Sequence, residues 1–185
     1  QLGTRFKYEA LGEICLFGYK TGDFEVSGNI LGNIYLKKDT INISAKGFVK
    51  STTPDFFLNF YESNHFRWNN NFENTYRTNL SGQLAIPTRR FYFTASVENI
   101  TKYIYFNNLA LPTQYDNNIQ ILSLNFKKDF VLGAFHLENQ VIYQTSSNQN
   151  VMPLPDFCLY HNLYFIKKLF KVLTIQLGAD IHYNT

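Results

Sequence analysis

One short segment of the chain is dense in residue types that could act chemically. Glu62, Ser63 and His65 combine a carboxylate, a hydroxyl and an imidazole, the three groups of a serine hydrolase. A catalytic triad is assembled by folding and not by sequence adjacency, and the glycines of a nucleophile elbow do not surround Ser63. The sequence therefore predicts no catalytic residue, and we expect the protein not to be an enzyme.

Four residues in the second half of the chain have the chemistry of metal ligands. His136 and Glu138 form one pair and Asp180 and His182 form another, each pair being separated by a single residue. In a strand the two members of such a pair point to the same face. Imidazole nitrogens and carboxylate oxygens bind zinc, but no further ligand cluster accompanies the two pairs. We therefore predict no metal site and no cofactor site.

A larger group of ionisable side chains recurs at alternate positions along the chain. Because alternate residues of a strand share one face, these side chains would line a single surface. If that surface enclosed water, charges of both signs would set the field felt by a passing solute. The alternative is that they are paired, solvated side chains without a role in selectivity. The predicted lumen-lining residues are Arg5, Lys7, Glu9, Glu13, Glu25, Lys46, Glu73, Arg77, Glu98, His136, Glu138, Asp180 and His182.

The segments that carry these side chains have a two-residue period. In 173–183 the odd positions are apolar or aromatic, from Leu173 to Tyr183, whereas the even positions are mostly polar. A strand with this pattern has one apolar and one polar face. Residues 157–166 leave open which of their two faces is the apolar one. About nine strands follow from this period, at 4–19, 24–36, 41–50, 71–86, 91–100, 119–126, 131–143, 157–166 and 171–183.

Strand length and composition favour strands that cross a membrane. Most segments reach the roughly 9–11 residues of a tilted transmembrane strand, whereas strands of globular proteins usually have about 5–6. Aromatic residues make up 17% of the 185 residues and gather near the ends of the apolar faces, as in the girdles of outer-membrane barrels. The net charge of +3 gives no indication of a nucleic-acid partner. Cys15 and Cys158 are predicted to be free thiols, with one disulfide as the alternative.

The connections between the segments alternate in length. Short turns near residues 38, 88, 128 and 168 alternate with long connections, with the short turn Lys20–Asp23 as an exception. Outer-membrane barrels have short turns on one side and long loops on the other. Each of the four short turns holds a basic doublet, interpreted as a ring of positive charge near lipid phosphates or simply as solvated turn residues. The long connections are 51–70, 101–118 and 144–156, and the doublets are Lys37, Lys38, Arg89, Arg90, Lys127, Lys128, Lys167 and Lys168.

Three stretches give the chain a resemblance to a known family: Tyr61–Trp68 with the Asn69–Phe72 that follows, Phe93–Tyr105, and Leu163–Tyr183. They are similar to the β-barrel porins of Gram-negative outer membranes that are grouped as porin type 10. The resemblance implies an all-β, antiparallel up-and-down transmembrane barrel that lets small solutes pass. It also implies a lipid bilayer with lipopolysaccharide as the surroundings. Because the family members are longer and nine strands is an odd number, we expect residues 1–185 to be a single domain and a segment of a larger barrel.

Two other functions fit the same strands. One is a non-conducting barrel that serves as a scaffold or accessory subunit of a larger envelope complex. The other is a secreted β-sandwich that binds glycans through exposed aromatic residues, in which case the apolar faces would form a core between two sheets. Lipid on the apolar face distinguishes the barrel alternatives from the sandwich, and conductance distinguishes the porin from the scaffold.

Overall fold

A computed structural model describes residues 6–185, most of which lie in one antiparallel sheet. The sheet has nine strands, and neighbours along the chain are neighbours in the sheet, apart from a small two-stranded hairpin inserted after the third strand. The prediction of an all-β, up-and-down antiparallel fold is therefore confirmed. In chain order the elements are β1 (Phe6–Ile14), β2 (Phe24–Tyr35), β3 (Thr40–Thr52), α1 (Phe56–Asn59), β4 (Phe60–Glu62), β5 (Arg67–Asn69), β6 (Thr75–Ile86), a 3-10 helix (Pro87–Arg89), β7 (Phe91–Phe106), β8 (Pro112–Leu132), β9 (Phe135–Ser146), β10 (Phe157–Leu169) and β11 (Leu173–Asn184).

The nine-stranded sheet is open across residues 6–185, since β1 and β11 each pair with one strand only. The other sheet in this part of the chain is the β4–β5 hairpin, so the two large packed sheets of a sandwich are not found there. Neither of the two short helices formed by the described residues could cross a membrane.

The pairing of the strands brings most of their apolar positions to one face, which we call the apolar face. Leu80 of β6, for example, lies opposite Gly47 of β3 and Val97 of β7. On β10, Leu163 lies opposite Leu137 of β9 and Ala179 of β11. The odd positions of β10 therefore belong to the apolar face, which resolves the ambiguity of 157–166. The opposite face carries most of the polar residues of the nine strands, and we call it the polar face.

Two of the four basic doublets are not in turns, contrary to the prediction. Lys127 and Lys128 lie within β8, and Lys167 and Lys168 lie within β10. The strand pairing continues through both doublets, so one lysine of each lies on the apolar face, Lys128 opposite Phe91 and Lys167 opposite Ile175. This is tolerated because the long lysine stem can lie along a strand while its ammonium reaches a polar partner. Lys128 shows this: its Nζ donates to the backbone oxygen of Arg89 and lies 5.3 Å from the centre of the Phe130 ring.

The turns that follow β8 and β10 lie two to six residues after these two lysine doublets. Gly133, at φ +62°, takes the left-handed conformation in the turn from β8 to β9. Phe170 and Lys171, at φ +52° and +61°, do the same in the turn from β10 to β11. The doublets Lys37–Lys38 and Arg89–Arg90 do lie in or beside short turns, at 36–39 and 87–90. The predicted ring of eight basic residues is thus reduced to these two doublets at the turns.

The alternation of short and long connections is more regular than the sequence indicates. β1 ends at Ile14, so the connection to β2 runs over 15–23 and is no longer an exception on the long-loop side. The predicted loop 101–118 is wrong in its extent, because β7 and β8 continue as a paired ribbon to Phe106 and Pro112. A bulge at Lys102 interrupts the ribbon, and its loop is only 107–111.

The short-turn side is held by an ion pair between two neighbouring turns. Arg89 donates from Nη2 and Nε to Asp39 Oδ2 at 2.8 and 3.1 Å, and the Thr88 hydroxyl donates to Asp39 Oδ1 at 2.7 Å. The Arg89 hydrogen bond, followed by that of Thr88, holds the pKa of the Asp39 carboxyl below its usual range. A lowered pKa in the folded state means that this contact stabilises the fold above the unfolded-state pKa of about 3.9 and is lost as the pH falls through the folded-state pKa.

Replacing Arg89 by glutamine is therefore expected to lower stability at pH 7 and to have little effect at a pH below the folded-state pKa of Asp39, where this carboxyl is protonated in both variants. The measurement is the urea midpoint of unfolding of the purified protein at both pH values. Arg90→Gln is the matched control, because Arg90 makes no ion pair within residues 6–185. A destabilisation by Arg89→Gln that is equally large at low pH would contradict the assignment.

Candidate functional site

The polar face collects most of the side chains that were predicted to line a lumen. Arg5 lies outside the described residues. Glu73 lies just before β6 and not in a strand, where it pairs with Lys102 Nζ at 3.1 Å. The others occupy polar-face positions of the sheet: Lys7, Glu9, Glu13, Glu25, Lys46, Arg77, Glu98, His136, Glu138, Asp180 and His182.

A row of charges crosses the polar face near the long loops. Glu13, Glu25, Lys50 and Arg77 lie opposite one another on β1, β2, β3 and β6, and we call them the charged row. Lys50 Nζ lies 3.0 Å from Glu25 Oε2, and Arg77 Nε donates to Glu98 Oε1 of β7 at 2.6 Å. Two acidic residues are thus followed by two basic ones across four strands, which produces an electric field along the polar face.

A different surface occupies β9–β11 of the polar face, and we call it the β9–β11 patch. His136 and Tyr164 are stacked, with ring centres 4.7 Å apart and planes 7° apart, and Tyr160 and His182 lie at the same separation with planes 43° apart. A row of polar groups lies between the two aromatic pairs: Glu138, Asn162 and Asp180.

Hydrogen bonds join the members of the β9–β11 patch. Glu138 accepts from the Tyr164 hydroxyl at 3.3 Å and from Asn162 Nδ2 at 3.4 Å. His182 Nε2 lies 3.1 Å from Asp180 Oδ2. Tyr164 also lies against Gly178 of β11, where an added Cβ would be 2.6 Å from Tyr164 Cβ and 3.0 Å from the Leu163 carbonyl oxygen. Hydrogen bonds therefore join β9 to β10 in the patch, and the ring contact of Tyr160 with His182 joins β10 to β11.

Comparison with known proteins agrees with this arrangement of one apolar and one polar face. A family model described as "Putative porin" matches residues 1–185. The chain belongs to this porin family. The resemblance to porin type 10 is confirmed, and it extends over the whole chain and not only over the three stretches. No curated protein and no solved structure matches the chain. Membership in the porin family supports, at a coarse level, a porin-like and non-enzymatic role and an outer-membrane location.

The segment that could have formed a hydrolase site has a structural role in the fold. Ser63 begins the turn of the β4–β5 hairpin, where its hydroxyl donates to the Phe66 carbonyl oxygen and accepts from the Phe66 N–H, both at 3.2 Å. Tyr61 and Trp68 stack across the hairpin at 4.8 Å. Residues 6–185 contain no group of three or more histidine, cysteine or acidic residues that could hold a metal ion, and Cys15 and Cys158 are free thiols.

Several residues of the polar face were missed as site candidates from the sequence. Tyr160, Asn162 and Tyr164 supply three of the seven side chains of the β9–β11 patch. The alternation of β10 in the sequence indicates that Tyr160, Asn162 and Tyr164 share one face. Because tyrosine suits either face, the sequence alone does not show whether that face is the polar one. Only the pairing of β10 with β9 and β11 decides which positions the polar face includes.

Proposed function

We propose that the nine-stranded sheet is part of the wall of a transmembrane β-barrel in the outer membrane of a Gram-negative bacterium. Its apolar face contacts the lipid bilayer and lipopolysaccharide, and its polar face lines a water-filled lumen through which small solutes pass passively. The residues that line this lumen include the charged row and the β9–β11 patch.

The observation that carries the proposal is the exposure of the apolar face. Leu80, Leu177 and Ile181 are 67%, 68% and 65% exposed. In residues 6–185 the buried non-proline hydrophobic residues are Ala85, Ile100 and Ile119, and all three have polar-face positions. A water-soluble protein rarely leaves so extended an apolar surface uncovered. Lipid is the solvent that such a surface requires, and a closed barrel is the only sheet that satisfies its backbone hydrogen bonds in lipid.

The test is made on the full-length protein. We expect it to require detergent for extraction, and its mobility on a gel run in cold detergent should change after boiling, as the compact barrel unfolds. Reconstituted into liposomes, it should let ions and small sugars pass. Recovery as a folded monomer without detergent would overturn the barrel. A folded, heat-modifiable barrel that passes neither ions nor sugars would instead favour the non-conducting scaffold.

Replacing Lys50 by glutamate is expected to raise the ratio of cation to anion permeability roughly two- to five-fold, because it turns a balanced row into an acidic one beside Glu13 and Glu25. The measurement is the reversal potential in a potassium chloride gradient. Lys37→Glu makes the same charge change in the turn 36–39, away from the charged row. Equal shifts in the two variants would contradict a role for the charged row in selectivity.

A further inference from the structure

We propose that the β9–β11 patch contains a binding site for a neutral, hydroxyl-rich ring, of which a pyranose sugar is the simplest example. The inference deepens the proposed function and rests on it in one respect, that the polar face is open to solutes. It assigns a solute class to a particular part of the wall.

The site is a concavity of about 490 Å³ at the end of the patch nearest the long loops. Gln140, Tyr160 and His182 cross its floor on three neighbouring strands, and Asn184 lies beside them on β11. Its volume lies within the range of about 300–1,000 Å³ that small-molecule sites usually have. The concavity is therefore large enough for one or two sugar rings.

The side chains of the concavity leave several polar groups unused. Gln140 donates its amide nitrogen to Asn125 Oδ1 at 3.1 Å, so its carbonyl oxygen remains as an acceptor. Within the described part of the chain, no protein group bonds the Tyr160 hydroxyl or the Asn184 amide. His182 bonds Asp180 through Nε2, which leaves Nδ1 for a ligand. Both donors and acceptors are thus available, as adjacent hydroxyl groups require.

The remaining chemistry favours a neutral ring over an ion. The charges around the concavity favour neither sign of ion, because the Asp180 carboxylate lies one row away and the Lys127 ammonium belongs to the residue opposite Gln140. A cation would have to compete with His182 for that same carboxylate. A sugar ring needs no charge partner, and its apolar face can lie on an aromatic ring such as that of Tyr160 while its hydroxyls bond the amides. Tyr160 is the aromatic platform in this assignment.

The experiment uses maltotriose as the probe and the full-length protein refolded in detergent. Calorimetric titration should show saturable binding, and Tyr160→Leu should weaken it at least about five-fold. Asn184→Ala, at the end of β11, should weaken it less, and it provides a second reading if Tyr160→Leu fails to fold. Tyr92→Leu is the matched control, because Tyr92 belongs to the same row of paired residues as Tyr160, through Lys127 and Gln140, but lies outside the concavity.

Binding is measured separately from conduction, so that a failure of the sugar site can be distinguished from a failure of the porin function. Absence of maltotriose binding by the folded wild-type protein, or equal weakening by Tyr160→Leu and Tyr92→Leu, would overturn the sugar site whether or not the barrel conducts. Binding that depends on Tyr160 and Asn184 in a barrel without conductance would uphold the site and overturn the porin function.

Discussion

Replacing Leu80 by arginine is expected to lower the free energy of unfolding in a lipid bilayer by about 2–4 kcal/mol, the cost of a cation near the midplane of a barrel's lipid face. Leu80 is 67% exposed at the middle of β6 and lies opposite Gly47 and Val97 on the apolar face. In water the same substitution on an exposed strand would cost little, usually within about 0.5 kcal/mol. The size of the effect therefore indicates whether lipid or water covers the apolar face.

The next residue along β6 provides the matched control. Ser81 lies on the polar face, opposite Lys46 of β3 and Ser96 of β7. Ser81→Arg introduces the same side chain one residue away, so it should change stability much less if that face meets water. The measurement is reversible urea unfolding of both variants in lipid vesicles. Equal effects of Leu80→Arg and Ser81→Arg would contradict the assignment of the two faces.

Replacing Gly178 by alanine is expected to destabilise the protein by about 1–3 kcal/mol through overpacking. The added Cβ would lie 2.6 Å from Tyr164 Cβ and 3.2 Å from Tyr164 Cα, so the clash is largely with atoms that cannot move without the backbone. The separation of β10 from β11 would have to increase, and the stacking of Tyr164 on His136 would change with it. Urea unfolding measures the loss of stability.

Gly82 of β6 provides the comparison, because no atom lies within 4 Å of the Cβ that alanine would add there. Gly82→Ala should be neutral or stabilise the protein by about 0.4–1 kcal/mol, since it restricts the unfolded chain without a clash. If the two glycine substitutions had the same effect, steric exclusion at Tyr164 would not be the reason for Gly178.

The strands could be predicted from the sequence because the two-residue period survives wherever one face is apolar. It identified all nine strands of the large sheet and the side on which the long loops lie. The lysine doublets of β8 and β10 were misread because a run of charged residues looks the same in a turn and in a strand whose lysine stems lie along it. The positions of these turns are determined by the backbone, where residues such as Gly133 and Phe170 adopt the left-handed conformation. The polarity of the sequence does not reveal that conformation.

The candidate site was less predictable than the fold. Alternation places a residue on a face but does not say which residue of the next strand lies opposite. The charged row and the β9–β11 patch depend on that information, because Lys50 meets Arg77 and Tyr164 meets His136 only through the pairing of separate strands. Side chains of both signs were expected on the polar face, whereas their segregation into a charged row and an aromatic patch was not.

The row of paired residues that contains Tyr92 and Tyr160 also determines the tilt of the strands. On β3 this row passes through Asn42, two residues from the turn end at Thr40, and five strands later Tyr160 lies nine residues from the turn end of β10 at Leu169. At about 3.4 Å per residue along a strand and 4.8 Å between neighbouring strands, the turn ends shift along the strand direction by roughly the same distance as they advance across the sheet. If the turns follow the membrane surface, the strands are inclined at about 45° to its normal, close to the roughly 35–45° of outer-membrane barrels. The stagger between neighbouring hairpins would thus set the tilt of the strands in a barrel that contains this sheet.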